Sequence, residues 1–424
     1  MTDTAIFSRF DRFKSLALRV VAFVLLSFSC LMIAHKLIVP LSDARWFIDK
    51  KTNEYHVIDF FQYYQASELA RSRLDSCNVY NPDRQRTWFN DLVAPLSSNE
   101  VFYNQQPPNF FPFLYPISLL PANYSYVIWC ILQTSFGLAS LFALGSCGFL
   151  TKKDRVLFLL GVLASFPAYS LIWHGNTTFW LVGWLSAYVL CFLKKRDVLG
   201  GVFMSFATFK PQYMFLMLLP ALAAKRVKLL AAFAVTELIL LGIASIIIGA
   251  DNVISYPSIV KKAESYAGFI GVNPQVMISL RGVFAQFLSI HDSLTYTSAV
   301  MFLSLIPVFF VWIKFQNQEK NLPFLWAWTI CIAVLLSPHC HVFDFLLLSL
   351  AGILTLKNLS ILKLAGESHS YRIWCIIFLC FPPASWIANY TLGHKLAPVA
   401  FFFPVLLALS ALSFMNLRSE NAKT

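Results

Sequence analysis

Residues 194–228 read KKRDVLGGVFMSFATFKPQYMFLMLLPALAAKRVK, two basic clusters separated by an apolar stretch that carries a Lys-Pro pair in its middle. Lys and Arg concentrate in the cytoplasmic loops of membrane proteins, so both clusters are expected on the cytoplasmic side. The stretch between them must then go out and come back. Pro211 lacks a backbone donor and disfavours helix in the residue before it, which provides the break. The sequence therefore predicts a broken hairpin over 198–224, with Lys210, Pro211 and Gln212 at its tip.

A single kinked helix is the alternative for this stretch. It would place the second basic cluster, residues 225–228, near the outer surface. Breaks in a helix at membrane depth are tolerated only where protein or a water-filled cavity satisfies the freed backbone groups. The hairpin interpretation therefore also predicts a polar environment around its tip.

The composition identifies the bilayer as the solvent of this chain. Of its 424 residues, 58% are hydrophobic and 13% charged, and the mean hydropathy is +0.64. Soluble proteins carry about 25% charged residues. Apolar stretches of about 20 residues, the length that spans the hydrocarbon as a helix, recur along the chain. The net charge of +12 fits Lys and Arg that face anionic lipid, and no nucleic-acid partner is expected.

The chain is therefore predicted to be an all-α polytopic membrane protein with both termini in the cytoplasm. Counting the hairpin as two passes gives about twelve membrane segments in a single integral-membrane domain. The domain covers residues 1–424, with a first transmembrane helix at 17–39, a first extracytoplasmic loop at 40–123, central helices at 124–249, a second extracytoplasmic loop at 250–294 and C-terminal helices at 295–416. Both long loops are expected to carry juxtamembrane helices. The first apolar run is too long for a signal peptide, so a retained helix is predicted.

Polar and ionisable side chains gather on the predicted extracytoplasmic side. They come from separate segments of the chain: His56 and Asp59, the turn 174–178 with His174, Asn176, Thr177 and Thr178, then Lys210 and Gln212, Arg281, and the turn 337–344 with His339, His341 and Asp344. Ionisable residues at membrane depth are costly and usually functional, so their gathering on one face predicts a site there. Glu237 differs because it lies in the middle of the span 228–249. It is predicted to make a helix–helix hydrogen bond and no chemistry.

Asp59 is the most prominent of these residues, within HVIDFFQYY at residues 56–64. A carboxylate in an aromatic-rich segment beside the membrane is a candidate for chemistry. Two structural alternatives to a chemical role stay open. Asp59 is also suited to cap the N-terminus of a helix, or to lie on the solvated (wet) face of an amphipathic helix. His56, three residues earlier, is either a partner of Asp59 or a solvated neighbour.

Lys210 is difficult to explain by packing, because burying an unpaired ammonium is costly, so an anionic partner is expected. His339 and His341 alternate and share a side if their turn is extended. With one Asp nearby they give only a weak metal signal. Binding of a phosphate or a hydroxyl is the preferred interpretation, and no metal site is predicted.

A series of motifs follows the chain in a characteristic order. They are Asp59-Phe60 with Tyr63-Tyr64, Tyr80-Asn81-Pro82, Pro107-Pro108, His174-Gly175-Asn176, Gly200-Gly201 with Phe209-Lys210-Pro211, and Ser337-Pro338-His339 with Asp344. In this order, over about residues 55–360, the chain resembles glycosyltransferase family 87, whose members are polytopic enzymes of the GT-C fold. It departs from the family pattern at Gln106, where a Tyr commonly precedes the Pro-Pro pair, and at the His174 turn. Both departures bear on sugar and acceptor specificity.

The resemblance implies a GT-C-type bundle that transfers a hexose, usually mannose, from a polyprenyl-phosphate sugar. The acceptor is a hydroxyl of a lipid or glycan on the extracytoplasmic side. The family uses an Asp of the first outer loop as its base, which by resemblance is Asp59. The sequence contains no glycine-rich phosphate loop, which disfavours a nucleotide-sugar donor.

The chemistry of such a reaction assigns roles to the other polar residues. A departing lipid phosphate needs preorganised cations, for which Lys210, Arg281 and His339 are the candidates. The candidates for further substrate contacts are His56, His174, Asn176, Gln212 and His341. With one base and no second carboxylate nucleophile evident, an inverting single displacement is the simpler mechanism. Because the leaving group is already a phosphate, no metal and no cofactor are expected. Membrane lipids are the other partners, and a bacterial inner membrane is the predicted location.

Two other functional classes stay open from the sequence. A transporter or lipid flippase commonly shows an internal repeat and a polar path through the bilayer. Here no clear repeat is visible, and the polar residues concentrate on one face. The remaining alternative is a structural subunit of an envelope complex, with the polar residues lining an interface.

Overall fold

The computed structural model describes residues 24, 26–49, 52, 54–56, 58–72, 79–97, 101–102, 104–265, 269–270, 273–357, 359 and 367–422. Its α-helices are α1 Leu26–Ser42, α2 Phe60–Arg71, α3 Pro82–Val93, α4 Phe111–Leu114, α5 Ala122–Leu144, α6 Lys152–Leu163, α7 Phe166–His174, α8 Thr178–Leu193, α9 Asp197–Ala207, α10 Pro211–Ala223, α11 Val227–Ile248, α12 Ala250–Ser265, α13 Leu280–Phe284, α14 Ile290–Phe315, α15 Leu322–Leu336, α16 Leu348–Thr355, α17 His369–Ala397 and α18 Phe403–Ala422. The strands are β1 Ile48–Asp49, β2 Glu54–Tyr55, β3 Val101–Phe102 and β4 Phe269–Ile270.

In the part of the chain that the structure describes, four helical stretches are long and apolar enough to cross a membrane. They are Ala122–Cys147, Val227–Ile248, Ile290–Phe315 and His369–Arg418. The α6–α7 pair makes a fifth if it is one span, bent by 59° just before Pro167. The protein is therefore an all-α membrane protein, as predicted.

The number of membrane segments, about twelve, stays a prediction. Several apolar helices that it counts, including α8, α9 and α10, are shorter than a full span. Within α17 two helical pieces meet at a kink at Gly393, whose φ 70° and ψ 170° lie outside helical geometry. Residues 17–23 of the predicted first helix lie outside the described residues.

The long helices differ in which faces they bury. On α11 and α14, large apolar side chains point outward, with Leu238 70%, Leu303 69% and Phe310 62% exposed. Such an apolar exterior is what lipid requires and what a soluble protein avoids. Helix α15 is buried on nearly every side, and Trp326 within it packs against Trp312 with ring centroids 5.2 Å apart. An all-round apolar helix of this kind forms the centre of the bundle.

The stretch between the two basic clusters folds as two helices, and the beginning of α9 lies next to the end of α10. Asp197, at the start of α9, forms an ion pair with Arg226, just beyond α10, at 2.7 Å. Helices of this length joined end to end would hold these residues about 40 Å apart, so the chain reverses direction between them. The reversal occurs at Thr208–Lys210, where Lys210 leaves helical geometry with φ −116° and ψ 77°.

The point where the chain reverses direction lies beside the middle of α11. Glu237, in the middle of that helix, accepts hydrogen bonds from Thr208 and, at 3.0 Å, from Asn109. The predicted helix–helix bond of Glu237 is confirmed, with the end of α9 as its partner. Gly201 makes the approach possible, because a Cβ there would lie 2.3 Å from the carbonyl oxygen of Leu229.

The two long segments predicted as outer loops pack against each other. Strand β3 of the first pairs in parallel with β4 of the second. Tyr256 on α12 donates its hydroxyl to the backbone oxygen of Gln105 at 3.0 Å. In the first segment, α2 buries most of its residues, and its Phe60 ring contacts Tyr126 near the start of α5 at 5.4 Å. The first segment is therefore a packed layer that holds α2, and with it Asp59, against the helices.

Candidate functional site

Asp59 occupies the position just before α2, yet its side chain does not cap that helix. Its Oδ2 instead accepts a hydrogen bond of 2.5 Å from Nδ2 of Asn176. Asp59 therefore occupies the N-cap position of α2, as one alternative proposed, but its carboxylate makes no capping hydrogen bond. The wet-face alternative does not describe α2, because the helix is buried on most of its surface. The half-buried carboxylate is left facing the turn between α7 and α8.

The geometry of that turn depends on Gly175, which ends α7 in the left-handed region at φ 62°. A Cβ at this position would lie 2.7 Å from the Cβ of Phe60, the first residue of α2. The carbonyl oxygen of Gly175 also accepts a hydrogen bond from Trp129 Nε1 at 2.9 Å. Only glycine allows the turn to press against α2, and this contact places Asn176 beside Asp59.

Asn176 links the Asp59 carboxylate to Lys210. Its Oδ1 accepts hydrogen bonds from the backbone N of Thr178 at 3.1 Å and from Lys210 Nζ at 3.3 Å. Its Nδ2 meanwhile holds Asp59, so one fixed amide joins the carboxylate and the ammonium. The side chain is buried, which leaves it little freedom to turn away from either partner.

Lys210 does have an anionic partner, and it is Asp344. Lys210 Nζ lies 2.5 Å from Asp344 Oδ1 and 2.8 Å from the hydroxyl of Thr178. The Thr178 hydroxyl lies 2.7 Å from the same carboxylate oxygen and 2.9 Å from Asn176 Oδ1, and it donates to one of them. The side chain of Asp344 is 1% exposed and that of Lys210 12%. The ammonium is therefore the accessible end of a buried ion pair.

The sequence placed Asp344 and Thr178 in turns on the polar face, but it gave neither of them a role in the site. Asp344 follows the late His turn at the start of the 3-10 helix Val342–Leu347. A signal was present, since Asp344 is the sole acid of the apolar run 342–356 and ionisable residues in such runs are usually functional. Thr178 gave no comparable signal, because a hydroxyl at the start of an apolar helix is common.

Tyr63, which the sequence indicated only as part of the motif that contains Asp59, is a third residue beside the site. It lies one helical turn after Asp59 and is 2% exposed. Burial, followed by the charge of Asp59, raises the pKa of Tyr63 well above its usual value, against a hydrogen bond to Thr177. The phenol therefore stays neutral beside the carboxylate. Its aromatic neighbours gave no reason to separate it from ordinary packing.

The late turn that carries His339 and His341 is braced from two sides. Gln212 Nε2 donates to the backbone oxygen of His339 at 3.2 Å. Arg281, fully buried, donates to the backbone oxygen of Pro338 at 2.8 Å. The two imidazole rings lie 5.0 Å apart. Burial, and after it the neighbouring His339, lowers the pKa of His341 to about 3, so this imidazole is neutral near pH 7.

His56 and His174 lie on another side of Asp59. His56 is exposed and precedes α2, with its ring 5.6 Å from that of Trp173. His174 is close enough to Asp59, His56 and Lys36 for all three to act on its charge. The structure thus connects Asp59, Asn176 and Lys210 directly. Gln212 and Arg281 bind the backbone of the late turn that carries His339 and His341, and His174 lies near Asp59 and His56. In the part of the chain that is described, no three His, Cys, Asp or Glu side chains form a metal-binding group.

The sequence profile described as glycosyltransferase family 87 matches residues 105–338, more than half of the chain. The matched region contains Asn176, Lys210, Gln212 and Arg281. Asp59 precedes it, and the late His residues and Asp344 follow it. No curated protein matches the chain. The length of the family match decides the assignment, and the chain belongs to glycosyltransferase family 87.

Proposed function

We propose that this membrane glycosyltransferase transfers a hexose, mannose by the family resemblance, from a polyprenyl-phosphate sugar to a lipid or glycan hydroxyl. The reaction takes place on the extracytoplasmic side, and Asp59 is its general base. The observation that carries the proposal is the bond from Asn176 to Asp59, which turns the carboxylate from its helix toward Lys210.

The carboxylate has the geometry of a positioned base. Asn176 binds Oδ2 and so fixes the plane of the group, while Oδ1 accepts the proton of the attacking hydroxyl. The half-buried position excludes part of the water but leaves the oxygen within reach of a substrate. The other carboxylate of the site, Asp344, is 1% exposed and paired with Lys210, so it is not placed to attack the sugar, and an inverting single displacement is favoured. A positioned base of this kind contributes a factor of about 10²–10⁴ to the rate.

Lys210 is the cation for the departing phosphate. It makes three hydrogen bonds, and the bond to Asn176 is the longest at 3.3 Å. A phosphate oxygen takes that place most easily, while Asp344 and Thr178 keep the ammonium in position. His339 completes the phosphate site, and Arg281 contributes through its charge and by fixing the turn at Pro338. Preorganised donors of this kind stabilise charge that develops in the transition state.

An apolar cleft beside the site supports a lipid-linked donor. The cleft has a volume of about 340 Å³ and lies between the Phe110–Leu120 segment, α5 and α8. Its wall includes Phe113, Leu132, Trp180 and Trp184, and the Leu132 side chain is 53% exposed. Trp129, which lines the cleft, donates a hydrogen bond to the backbone oxygen of Gly175, next to Asn176. We assign this cleft to the first isoprene units of the polyprenyl chain, because an apolar tail joined to a phosphate at the site must leave through an apolar wall.

Leu132→Trp tests the cleft by filling it. We expect the KM for a long-chain polyprenyl-phosphate mannose to rise about tenfold, equivalent to about 1.4 kcal/mol of lost binding. A donor with one short prenyl chain should be affected much less. Leu238→Trp, which enlarges a side chain 70% exposed on α11, is the matched control. Equal KM values for Leu132→Trp and Leu238→Trp would show that the chain leaves elsewhere.

The donor class is tested with purified protein in phosphatidylcholine nanodiscs. Radiolabelled mannose is supplied either as polyprenyl-phosphate mannose or as GDP-mannose, and free mannose and glycosylated products are counted. We expect consumption of the lipid-linked donor alone, because Lys210 and the apolar cleft fit a single phosphate on a lipid. Comparable consumption of GDP-mannose would contradict the proposed donor.

A further inference from the structure

Glu237 is the sole acidic residue of α11, and it lies in the middle of this helix, which is long and apolar enough to cross a membrane. Its neighbours Leu238 and Ile239 are 70% and 55% exposed on the apolar outside of the bundle. An ionisable side chain at such a depth is costly and is usually retained for a function. A hydrogen bond between two helices needs no more than a serine or threonine hydroxyl. The presence of a carboxylate therefore indicates a further role.

Both oxygens of the Glu237 carboxylate are bound, each by a different segment. Oε1 accepts a hydrogen bond from the hydroxyl of Thr208, just after α9, and Oε2 accepts one of 3.0 Å from Nδ2 of Asn109, in the 3-10 helix Pro108–Phe110. Asn109 Nδ2 also donates to the Thr208 hydroxyl, and both side chains are buried. A carboxylate can bind donors of two segments in this way, one on each oxygen. We call Glu237, Thr208 and Asn109 the tip clamp.

The tip clamp fixes the backbone that carries Lys210. Thr208 and Phe209 directly precede Lys210 at the reversal of the hairpin. Phe209 stacks on Phe110, the residue after Asn109, with ring centroids 4.5 Å apart and planes at 20°. Both rings are buried. Two consecutive residues of the hairpin are therefore bound to two consecutive residues of the Phe110 segment, and Lys210 is the next residue of the hairpin.

The tip clamp also connects the hairpin to the wall of the apolar cleft. Phe110 and Phe113 line that cleft. The Phe110 ring that stacks on Phe209 is thus part of the wall, and Phe113 contacts Phe206 of α9 with ring centroids 5.2 Å apart. An isoprene chain in the cleft would rest against the same segment that holds the hairpin tip. The distance from the cleft to Lys210 is therefore set by the contacts between this segment and the end of α9.

We propose that Glu237 is a positioning residue, which through the tip clamp holds Lys210 at the distance from the apolar cleft that a lipid-linked phosphate requires. The proposal rests on the proposed function, in which the cleft takes the isoprene units and Lys210 meets the departing phosphate. That phosphate is joined directly to the first isoprene unit, so the cation and the cleft must lie at one matching distance. Glu237 touches neither the sugar nor the phosphate. A displacement of about 1 Å in such an arrangement can lower the rate about 10²-fold.

Glu237→Leu removes the carboxylate and leaves a side chain that suits the bilayer. Thr208 can still donate to the backbone oxygen of Ser205, 2.6 Å away, and Asn109 can still donate to Thr208. We therefore expect little change in the apparent Tm in detergent. The kcat should fall at least about tenfold with a smaller change in donor KM, because the charge that Lys210 meets develops only in the transition state. Thr236→Leu is the matched control, since its hydroxyl bonds within α11, to the backbone oxygen of Ala232 at 2.8 Å.

An exchange of the two partners provides a second test. Asn109→Asp alone places two carboxylates at hydrogen-bond distance, and their repulsion should displace the tip and lower kcat at least about tenfold. Glu237→Gln added to Asn109→Asp restores one carboxylate and one amide with nearly the original shapes, so kcat should return to within about threefold of the wild type. Glu319→Gln added instead removes an acid that is 84% exposed near Lys195, and it should restore nothing.

Binding of the lipid product is a readout that needs no transfer. Retention of polyprenyl phosphate is compared with retention of polyprenol by native mass spectrometry. The wild type should retain the phosphate at least about fivefold better, through the charge-assisted hydrogen bonds of Lys210. Glu237→Leu should lose most of this preference. Electrostatics alone would give the opposite result, since the variant removes a negative charge near the phosphate.

Wild-type kcat or wild-type phosphate preference in Glu237→Leu overturns the proposal, and so does an exchange variant that is no more active than Asn109→Asp. A large fall in apparent Tm that accounts for the lost kcat of Glu237→Leu would assign Glu237 to stability alone. If the wild type transfers no mannose, the proposed function fails, while the phosphate preference still decides the role of Glu237.

Discussion

Asp59→Asn should lower sugar transfer by a factor of about 10²–10⁴, the usual contribution of a positioned general base. Asparagine has nearly the shape of aspartate, and its amide oxygen can accept the hydrogen bond from Asn176 that Asp59 Oδ2 accepts at 2.5 Å. The turn between α7 and α8 therefore keeps its support. What the variant loses is the ability to take a proton from the attacking hydroxyl. The loss should fall on kcat, with the KM for the polyprenyl-phosphate donor close to that of the wild type.

The matched control for this substitution is Asp83→Asn. Asp83 also lies in the first long segment, but it is 84% exposed and pairs with Arg86 on the surface of α3. Asp83→Asn removes the same charge from the same segment as Asp59→Asn, and it should change the rate of sugar transfer by less than twofold. Near wild-type transfer by Asp59→Asn would remove Asp59 from the role of base. Loss of transfer in both variants would indicate that the charge of the segment matters and not the position of Asp59.

The break in the 194–228 stretch could be predicted from the sequence because its cause is local. Pro211 acts on the residue before it, and the structure has two helices that end on either side of Lys210. The apolar helices were also predictable from local sequence, since each one corresponds to a continuous run of apolar residues. Their number across the membrane was not, because a helix as short as α8 satisfies the apolar pattern without filling a span.

The partners within the site could not be predicted, because no sequence pattern pairs residues far apart in the chain. Lys210 and Asp344 are separated by 134 positions, and Asn176 and Asp59 by 117. The cost of a buried ammonium indicated that Lys210 has an anionic partner, but it did not indicate which. The substrate phosphate was the natural expectation. In the structure the anionic partner of Lys210 is the carboxylate of Asp344, so the positive charge at the tip of the hairpin belongs to an ion pair within the protein.

This ion pair leads to the second large effect, in which stability and activity should separate. Lys210→Gln alone leaves the carboxylate of Asp344, 1% exposed, without its cation. Breaking a buried pair from one side costs about 3–5 kcal/mol, because an uncompensated charge remains. We therefore expect a marked fall in the apparent Tm in detergent and loss of transfer. Asp344→Asn alone should also be destabilised, because it leaves the ammonium of Lys210 in the same place.

The double variant Lys210→Gln with Asp344→Asn distinguishes the two roles of Lys210. Two neutral amides can hydrogen-bond to each other and to Thr178, so stability should return to within about 1 kcal/mol of the wild type, since well-satisfied neutral groups often replace a buried pair at little cost. Transfer should stay at least about 10²-fold down, because no ammonium meets the departing phosphate. Neutralising the exposed pair Arg86 and Asp83 is the control, with an expected change below about 1 kcal/mol. If transfer returned together with stability, Lys210 would be a structural residue, and the charge of the leaving phosphate would have to be met at Arg281 and His339.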